Sequence, residues 1–546
     1  MLMYTIGLML YKFGVDVFFL CFFSYVLNRY DNEILEDPWR SCRTFARLGL
    51  IAGLIALGQC IGSIAVGPLV DRFSMQNILA TTALVFGVLS TTPLMVEGLT
   101  GGDLPNHNKG QDVDLSDGRG LTDHFGNYNT DFIIPIPVFC SIAYGMQDVI
   151  RRLIPGAIVG GNLQKLRRMN ALVHICYTFS GVVSCLITIF GLVPYLGLNF
   201  APLITPVSFS LAGVVWLFIR LPHPNKRHSG QDEMDILSAI EQHLTTLSPT
   251  ATEKKTTRKE ALVKYVKRVC KGFLYFFESA YVGARIVLGH RKFIWLLPSY
   301  SLATYTQRLL ETIIAPAIAR RYLGRAEWSL IMLAGCNMGQ LLGALLVICF
   351  TNRIRTPIPW LRLTACTLPL VWLGTLWSPS SENVSEAFIA AAAVFLPVSL
   401  GNAVGDVSLG SYIQAAASRH PGVEGRRSRN KRLSSSSSHN NIPASQAVLS
   451  FLYFVYIVVF GASAKPIGVY MDAISDKQNM NIATAIKHVV AHQYTALGGL
   501  ILLSTFLPKG ALAWNPDMLF EENLESDGES SVGTTISTSM ELSDRK

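Results

Sequence analysis

Charged side chains recur inside long apolar blocks of this 546-residue chain, at spacings that allow them to form ion pairs. Lys12 and Asp16 in the first block are four residues apart, so on a helix they share a face and can pair. Arg308 and Glu311 in the seventh block are three residues apart and can pair in the same way. There Arg308 could bind an anionic group and Glu311 could take up a proton. A static ion pair is the alternative in both blocks.

Two further carboxylates and an amide belong to the same set. Asp148 and Asp406 lie near the ends of the fourth and tenth blocks, and Gln340 lies in the eighth. Asp148 is within one helical turn of Arg151 and Arg152, so it either joins the others or only anchors the membrane interface. We expect Asp406 to be better insulated and to carry a proton. Gln340 could contact a solute, although hydrogen bonding between helices explains it equally well.

The blocks that hold these residues have the length of membrane spans. Half of the residues are apolar, 15% are charged and the mean hydropathy is +0.35. About twenty apolar residues cross ~30 Å of hydrocarbon, and their backbone groups must pair internally, so an all-α membrane protein is predicted. A charge at the bilayer centre costs about 2.5–3.5 kcal/mol, so the charged residues should face a cavity. Twelve spans are predicted near 2–27, 46–70, 78–97, 132–150, 170–193, 199–219, 293–316, 328–350, 358–377, 386–413, 447–471 and 489–507.

The composition argues against several other classes of protein. The net charge of +9 does not indicate nucleic-acid binding, because the basic residues lie in loops between the apolar blocks. The ten cysteines form no CxxC pair and have no metal-ligand spacing. No P-loop and no Ser/His or His/Asp constellation stands out. We therefore expect no enzyme activity, no metal and no cofactor. The first block is too long for a signal peptide and is expected to be a retained span.

The loops predict the orientation of the chain in the membrane. With an even number of spans both termini lie on one side, and a cytoplasmic placement puts most of the 46 lysines and arginines there. The acidic loop at 98–131 then lies outside, as does the sequon that begins at Asn383, a predicted glycosylation site. A basic cluster at 320–325 fits poorly, because it would also lie outside.

The spans divide six and six around a long central loop. We assign 1–220 to an N-terminal six-helix bundle, 221–292 to a cytoplasmic loop with an amphipathic helix, 293–508 to a C-terminal six-helix bundle and 509–546 to a disordered acidic tail. The amphipathic helix carries basic residues followed by aromatic ones, a pattern typical of a helix at an anionic membrane surface. The basic, serine-rich loop at 415–445 is expected to be disordered and could be phosphorylated.

The connection between spans two and three carries a recognisable motif. Gly67-Pro-Leu-Val-Asp71-Arg72 resembles the first part of the signature loop G-x-x-x-D-R-x-G-R-[RK] of the major facilitator superfamily, and Arg353 follows span eight at the matching place. The residues after Arg72 lack the later glycine and basic residues, and the antiporter motif of span five is absent. The resemblance implies a gating loop in which Asp71 meets a helix N-terminus and leaves it when the protein faces inward.

The resemblance also implies a function. Two related six-helix bundles are expected to form a monomeric secondary transporter that moves a small organic, amphipathic solute across a lipid bilayer by alternating access. Energy would come from a gradient, with protons favoured, or the protein would be a uniporter; export is favoured over uptake. The chain is similar to efflux-type and to uncharacterised eukaryotic, fungal-like members, in the plasma membrane or an endomembrane such as the vacuole. A non-transporting sensor or receptor on the same scaffold is the alternative, and a membrane-embedded enzyme a third.

Overall fold

A computed structural model describes residues 2–36, 43–70, 73–104, 125–159, 163–219, 277–289, 291–350, 353–354, 356–376, 384–418, 444–477 and 482–508. Within these residues the long elements are twelve helices, and each predicted span coincides with one of them. The first six are α1 (Leu2–Glu36), α2 (Thr44–Val70), α3 (Met75–Leu99), α4 (Pro135–Val159), α5 (Leu163–Ile187, continued by Thr188–Leu192 and Val193–Phe200) and α6 (Ile204–Leu217).

The second half repeats this order with more interruptions. Its helices are α7 (Arg291–Ile294, Leu297–Leu302, Ala303–Leu309, Leu310–Ile314 and Ala315–Tyr322), α8 (Ser329–Phe350), α9 (Ile358–Thr367, Leu368–Leu370 and Val371–Leu376), α10 (Val384–Ala390, Ala391–Phe395 and Leu396–Ser418), α11 (Ala444–Lys477) and α12 (Ile482–Ser504). A short helix at 277–289 precedes α7. Prolines explain some of the breaks, since Pro298, Pro316 and Pro369 each stand near the start of a new segment.

Helix α7 is the most irregular of the twelve. Two of its segments, Leu297–Leu302 and Leu310–Ile314, are π-helical turns, and they flank the ordinary helical turn that carries Arg308. A π-helical turn uses more residues per turn than an α-helix and is frequent at functional sites. Consequently the side chains of α7 do not follow the angular spacing of a regular α-helix.

Helix α1 is longer than the sequence predicts, because its polar last turns are covered by protein rather than ending at water. Arg29 is buried and forms an ion pair with Glu97 of α3 at 3.6 Å. The Tyr30 hydroxyl donates to Asp131 at 2.7 Å. The predicted end at residue 27 is therefore wrong by nine residues, since α1 ends at Glu36.

The helices pack as two groups of six that meet along two seams. Within the first group α1 packs on α5 and α6, α2 on α4, and α3 on α4 and α6. Within the second α8 packs on α10, α9 on α10 and α12, and α11 on α12. The seams between the groups are α2 against α11 and α5 against α8. Glycine lets the backbones of α2 and α11 approach closely: a Cβ at Gly49 or Gly468 would overlap the opposite backbone.

Length and apolar character identify membrane spans in the described residues. Eight helical stretches are long and apolar enough to cross a bilayer. One of them, Arg168–Leu217, is 50 residues long and runs from α5 into α6 through Gly197, whose φ of 71° interrupts the helix. A shorter apolar stretch, Ile358–Leu373, belongs to α9.

Several predicted features lie outside the described residues. Asp71 and Arg72 of the gating motif, the glycosylation site Asn383, most of the central loop, the serine-rich loop and the tail from 509 are among them. Gly67 falls in the last turn of α2, and Arg353 is exposed just after α8. The proposed roles of this motif stay predictions.

Candidate functional site

A cavity of about 300 Å³ lies between the two groups of helices. Its wall contains all seven residues that the sequence predicts for a solute or proton pathway, contributed by both halves of the chain: Lys12, Asp16, Asp148, Arg308, Glu311, Gln340 and Asp406. The wall also reaches Pro155 near the end of α4, Asn170 near the start of α5 and Gly410 of α10. The mouth therefore lies at the end where α4 joins α5 and α10 joins α11, which we call the open end.

The first half of the chain contributes a paired cation and carboxylate. Lys12 Nζ lies 2.7 Å from Asp16 Oδ1, so the predicted pair forms. Asn337 of α8 donates to the other oxygen of Asp16 at 3.3 Å, which links the two groups of helices at this point. Gly181 of α5 makes this approach possible, because a Cβ there would lie 2.7 Å from both Asn337 and Asp16. Asp16 is thus buried, but its charge is compensated.

A second ion pair lies nearer the mouth. Arg151 donates to Asp148 at 2.6 Å, and Asp148 is buried. The ring of Tyr177 contacts both cations of this wall, with its centroid 4.7 Å from Lys12 Nζ and 4.0 Å from the Arg151 guanidinium carbon. Such cation–π contacts stabilise partly desolvated cations by about 0.5–2 kcal/mol. Both cations of the first half therefore already have partners.

The opposite wall holds a carboxylate bound by amides. Glu311 accepts hydrogen bonds from Gln307 at 2.7 Å and from Gln340 at 3.2 Å. Gln307 also accepts from Asn402 at 2.8 Å and bonds Ser399, so the carboxylate belongs to a network across α7, α8 and α10. A side pocket of about 110 Å³ adjoins this network, and the buried Oδ1 of Asn402 in its wall has no hydrogen-bond partner.

The predicted pairing of Arg308 with Glu311 is wrong. Arg308 forms no salt bridge and no hydrogen bond through its guanidinium with the described part of the chain, although it lines the cavity. The π-helical turn that begins at Leu310 rotates Glu311 away from the position that an α-helix would give it. Two amides donate to the Oε1 atom of Glu311 instead. The guanidinium is left facing the cavity.

The expectation that Asp406 is well insulated is also wrong. Its side chain is exposed at the mouth of the cavity, and it makes no hydrogen bond or ion pair with the residues that the structure describes. The sequence context misled the prediction, because Asp406 lies among apolar and small residues on α10. Those apolar and small residues lie on the other faces of α10, whereas the face that carries Asp406 lines the open end of the cavity.

The other end of the cavity is closed by contacts between the two groups of helices. Asp31 of α1 accepts from Arg320 at 3.0 Å and from Arg321 at 2.7 Å, both at the end of α7. Ser24 of α1 and Ser329 of α8 share a hydrogen bond of 2.7 Å in a fully buried position. We call this the closed end. The basic cluster that fits the positive-inside rule poorly is therefore part of a contact with a buried carboxylate.

A second closed-end contact caps a helix of the opposite group. The carboxylate of Asp472, near the end of α11, accepts from the backbone nitrogen atoms of Phe45 at 3.2 Å and Ala46 at 2.7 Å. These are unsatisfied donors in the first turn of α2, where the helix dipole also favours a negative charge. Asp472 therefore gives α2 an N-terminal cap from the other half of the chain.

Sequence reasoning missed the closed-end residues and most of the aromatic wall. Asp31 lies in a polar run at the end of α1, which reads as a loop, and its partners are about 290 residues away. The basic cluster at 320–325 was the available signal. Its arginines lie on the side of the membrane where the positive-inside rule predicts few cations, so carboxylate partners could be expected there. Tyr144, Tyr177, Tyr453 and Tyr456 line the cavity, but tyrosines in apolar blocks are too common to be singled out.

Comparisons with known proteins support the fold. No protein family profile matches the chain, and no curated protein matches it. Among solved structures, a D-xylose–proton symporter is 12% identical, with 93% of this chain and 96% of that chain covered and a TM-score of 0.52. A variant of the nucleoside transporter NupG is 12% identical, with 91% and 99% covered and a TM-score of 0.51. The proton:xylose symporter XylE of the major facilitator superfamily, bound to 6-bromo-6-deoxy-D-glucose, is 12% identical, with 93% and 96% covered and a TM-score of 0.51.

At this identity the likeness shows the fold alone. The described part of the chain has the all-α fold of major facilitator transporters, its twelve long helices pack as two six-helix bundles, and the predicted fold class is confirmed. The chain is a multi-pass membrane protein. The first bundle is α1 to α6 and the second is α7 to α12.

Proposed function

We propose that this protein is a secondary transporter that moves a small organic solute by alternating access. One observation carries the proposal: a single cavity is lined by both bundles, is open at one end and is closed at the other by contacts between the bundles. Rocking of one bundle against the other would break the closed-end contacts and make new ones at the present mouth. The transporters with similar structures support this reading.

The closed end is suited to reversible opening. The Arg320 and Arg321 side chains are 21% and 24% exposed, so their ion pairs with Asp31 are partly screened by water. Ion pairs whose cations are partly screened by water stabilise a contact by only about 0.2–1 kcal/mol each. Contacts of this size bias an equilibrium between two states without locking it.

Proton coupling belongs to the same proposal. The ionisable side chains in the cavity wall come from α1, α4, α5, α7, α10 and α11, whereas α2 and α8 contribute only the amides Gln59 and Gln340. Tyrosines and one histidine lie beside the charged residues: Lys12, Asp16, Tyr144, Asp148, Arg151, His174, Tyr177, Arg308, Glu311, Asp406, Tyr453 and Tyr456. Glu311 is held by neutral amides rather than by a cation, so it can exchange a proton without breaking an ion pair. Asp16 can do so only when Lys12 is released or compensated.

We further propose a monomer that exports an amphipathic solute, in the plasma membrane or an endomembrane such as the vacuole, with both termini cytoplasmic. Phe19, Leu20 and Phe23 make part of the wall apolar, which supports a solute with an apolar face. The open end is the one that the loop charges place in the cytoplasm. This state would load a solute for export, although it would also release one during uptake, so the assay must measure both directions.

Proteoliposomes that contain a pH-sensitive dye test the proposal. Benzoate, D-xylose, uridine and tetraphenylphosphonium are supplied in turn, inside or outside, with and without a proton gradient. We expect at least one probe to cross with a proton, and we expect Asp16→Asn and Glu311→Gln to abolish gradient-driven accumulation. Glu278→Gln, at an exposed position of the short helix before α7, serves as the control and should transport normally.

Two outcomes would count against the proposal. A probe that binds the purified protein but is never moved would favour a sensor on this scaffold. Equal transport by the parent, Asp16→Asn and Glu311→Gln would remove these carboxylates from the proton pathway.

A further inference from the structure

We infer that the solute is a small organic anion, a carboxylate or phosphate ester with an apolar body, and that Arg308 binds its charged group. The inference rests on the proposed function, because it names the class of solute for the same cavity. Its starting point is a difference among the three cations in the cavity wall. Lys12 and Arg151 have carboxylate partners, whereas Arg308 has none within the described part of the chain.

A cation without a salt bridge in this position is available to bind an anion. Arg308 lies in the middle of α7, between two π-helical turns, and is only partly accessible from the cavity. Burial of a charge without a partner is costly, so charges inside a membrane protein pair with one another or mark a ligand pathway. The nearest carboxylate on α7, Glu311, accepts hydrogen bonds from both Gln307 and Gln340 at its Oε1 atom and forms no salt bridge with Arg308. An anion entering from the mouth would meet an unoccupied guanidinium.

The guanidinium also fixes the kind of group that fits. Its planar fork offers parallel N–H donors that match the two oxygens of a carboxylate or a phosphate. Tyr144 of α4 provides a further donor from the opposite bundle, and its hydroxyl makes no hydrogen bond within the residues that the structure describes. Glu311 also lies close enough to act on Arg308 through space, but it forms no salt bridge with it. An anion that accepts from both Arg308 and Tyr144 would bridge the two bundles.

The remainder of the wall indicates what the anion carries. Val15, Phe19, Leu20 and Phe23 of α1 present apolar and aromatic surface to the same cavity. A volume of about 300 Å³ is at the lower end of the range for small-molecule sites. A compact ring or a short hydrocarbon chain attached to one anionic group suits this space.

Binding to purified protein tests the inference without requiring transport. Benzoate and phenyl phosphate serve as the anionic probes, and benzyl alcohol and benzylamine are matched neutral and cationic probes of the same size. Titration calorimetry gives each Kd for the parent, Arg308→Gln, Arg308→Lys, Tyr144→Phe and Arg362→Gln. Arg362 lies on α9, donates to Thr505 and stacks on Phe506 away from the cavity, so Arg362→Gln is the control.

We expect at least one anion to bind the parent more tightly than the neutral and cationic probes. Removing one partner of a desolvated charge pair costs enough to weaken binding by about 30-fold or more in Arg308→Gln. Arg308→Lys should weaken it less, because the charge remains while the fork is lost. Tyr144→Phe should weaken it about 5-fold, as expected for one hydrogen bond. Arg362→Gln should bind like the parent. Binding of only one of the two anions identifies carboxylates or phosphate esters as the source.

Three results would overturn the inference: no binding of either anion, equal binding by the parent and Arg308→Gln, or tighter binding of benzylamine than of benzoate. The transport assay separates this failure from failure of the proposed function. If uridine or tetraphenylphosphonium is carried while neither anion binds, transport stands and the anion assignment falls. If an anion binds through Arg308 but no probe is ever moved, the anion site stands and the transport proposal falls.

Discussion

Replacement of Asp31 by asparagine should open the closed end of the cavity. The carboxylate of Asp31 accepts from Arg320 at 3.0 Å and from Arg321 at 2.7 Å, and these contacts join α1 of the first bundle to α7 of the second. They can exist only while this end is closed. Asparagine keeps the size and one oxygen acceptor but removes the charge, so the perturbation is electrostatic rather than steric.

The magnitude follows from the exposure of the groups. Asp31 is 6% exposed, whereas its two partners are 21% and 24% exposed. Two partly screened pairs of about 0.2–1 kcal/mol each give a combined loss of about 0.4–2 kcal/mol, with one retained hydrogen bond opposing it. A loss of that size changes the ratio of open to closed protein by roughly 2- to 30-fold.

Cysteine labelling at Ser24 measures this ratio. Ser24 is fully buried below the Asp31 contacts and bonds Ser329 of α8, so a cysteine there is protected while this end is closed. In a background with the ten native cysteines replaced, we expect Asp31→Asn to raise the rate of maleimide labelling of Ser24→Cys about tenfold. Glu33→Gln is the matched control, because its ion pair with Arg47 at 3.3 Å stays within the first bundle.

Two outcomes would refute this reasoning. If Asp31→Asn leaves the labelling rate at the parent value, the ion pairs do not hold the closed end. If Glu33→Gln raises the rate as much, the effect comes from general loosening of the first bundle rather than from contact between bundles.

Two further predictions concern the seam and the first bundle. A Cβ at Gly468 of α11 would overlap the carbonyl oxygen of Phe45 on α2. Gly468→Ala should therefore force the two helices apart, at a cost of about 1–3 kcal/mol, and reduce transport in the vesicle assay. Gly499→Ala is the control and should transport normally, because a Cβ there meets nothing within 4 Å. Glu97 is 1% exposed and pairs with Arg29 at 3.6 Å, so Glu97→Gln should destabilise the protein by about 1–3 kcal/mol and lower its Tm in a thermal melt, and an unchanged Tm would contradict this.

The membrane helices and one ion pair could be predicted from the sequence, because both depend on residues that are close along the chain. Blocks of about twenty apolar residues can satisfy their backbone only as helices in lipid, so each predicted span coincides with a helix. The Lys12–Asp16 pair was equally readable, because a four-residue spacing on a regular helix fixes the geometry. The same rule failed for Arg308 and Glu311, since a π-helical turn replaces the regular helix at Leu310.

The solvent exposure of a side chain could not be predicted from the sequence in this way. Asp406 and Asp148 both lie near the ends of apolar blocks, yet Asp406 is exposed at the mouth while Asp148 is buried against Arg151. Which face of α10 borders the cavity depends on how that helix packs on α8 and α9. The apolar neighbours of Asp406 along the chain carry no information about that packing.

The helices, their number and the charged residues that would be costly in lipid could be predicted from the amino-acid order alone, because the bilayer acts on each apolar block separately. Which of those charges are compensated, and where the cavity closes, depends on how the two bundles pack together. Asp31 meets Arg320 and Arg321, and Asp472 caps α2, across separations of about 290 and 430 residues. Such contacts depend on the relative placement of two bundles, and the spacing of residues along a single helix does not encode it.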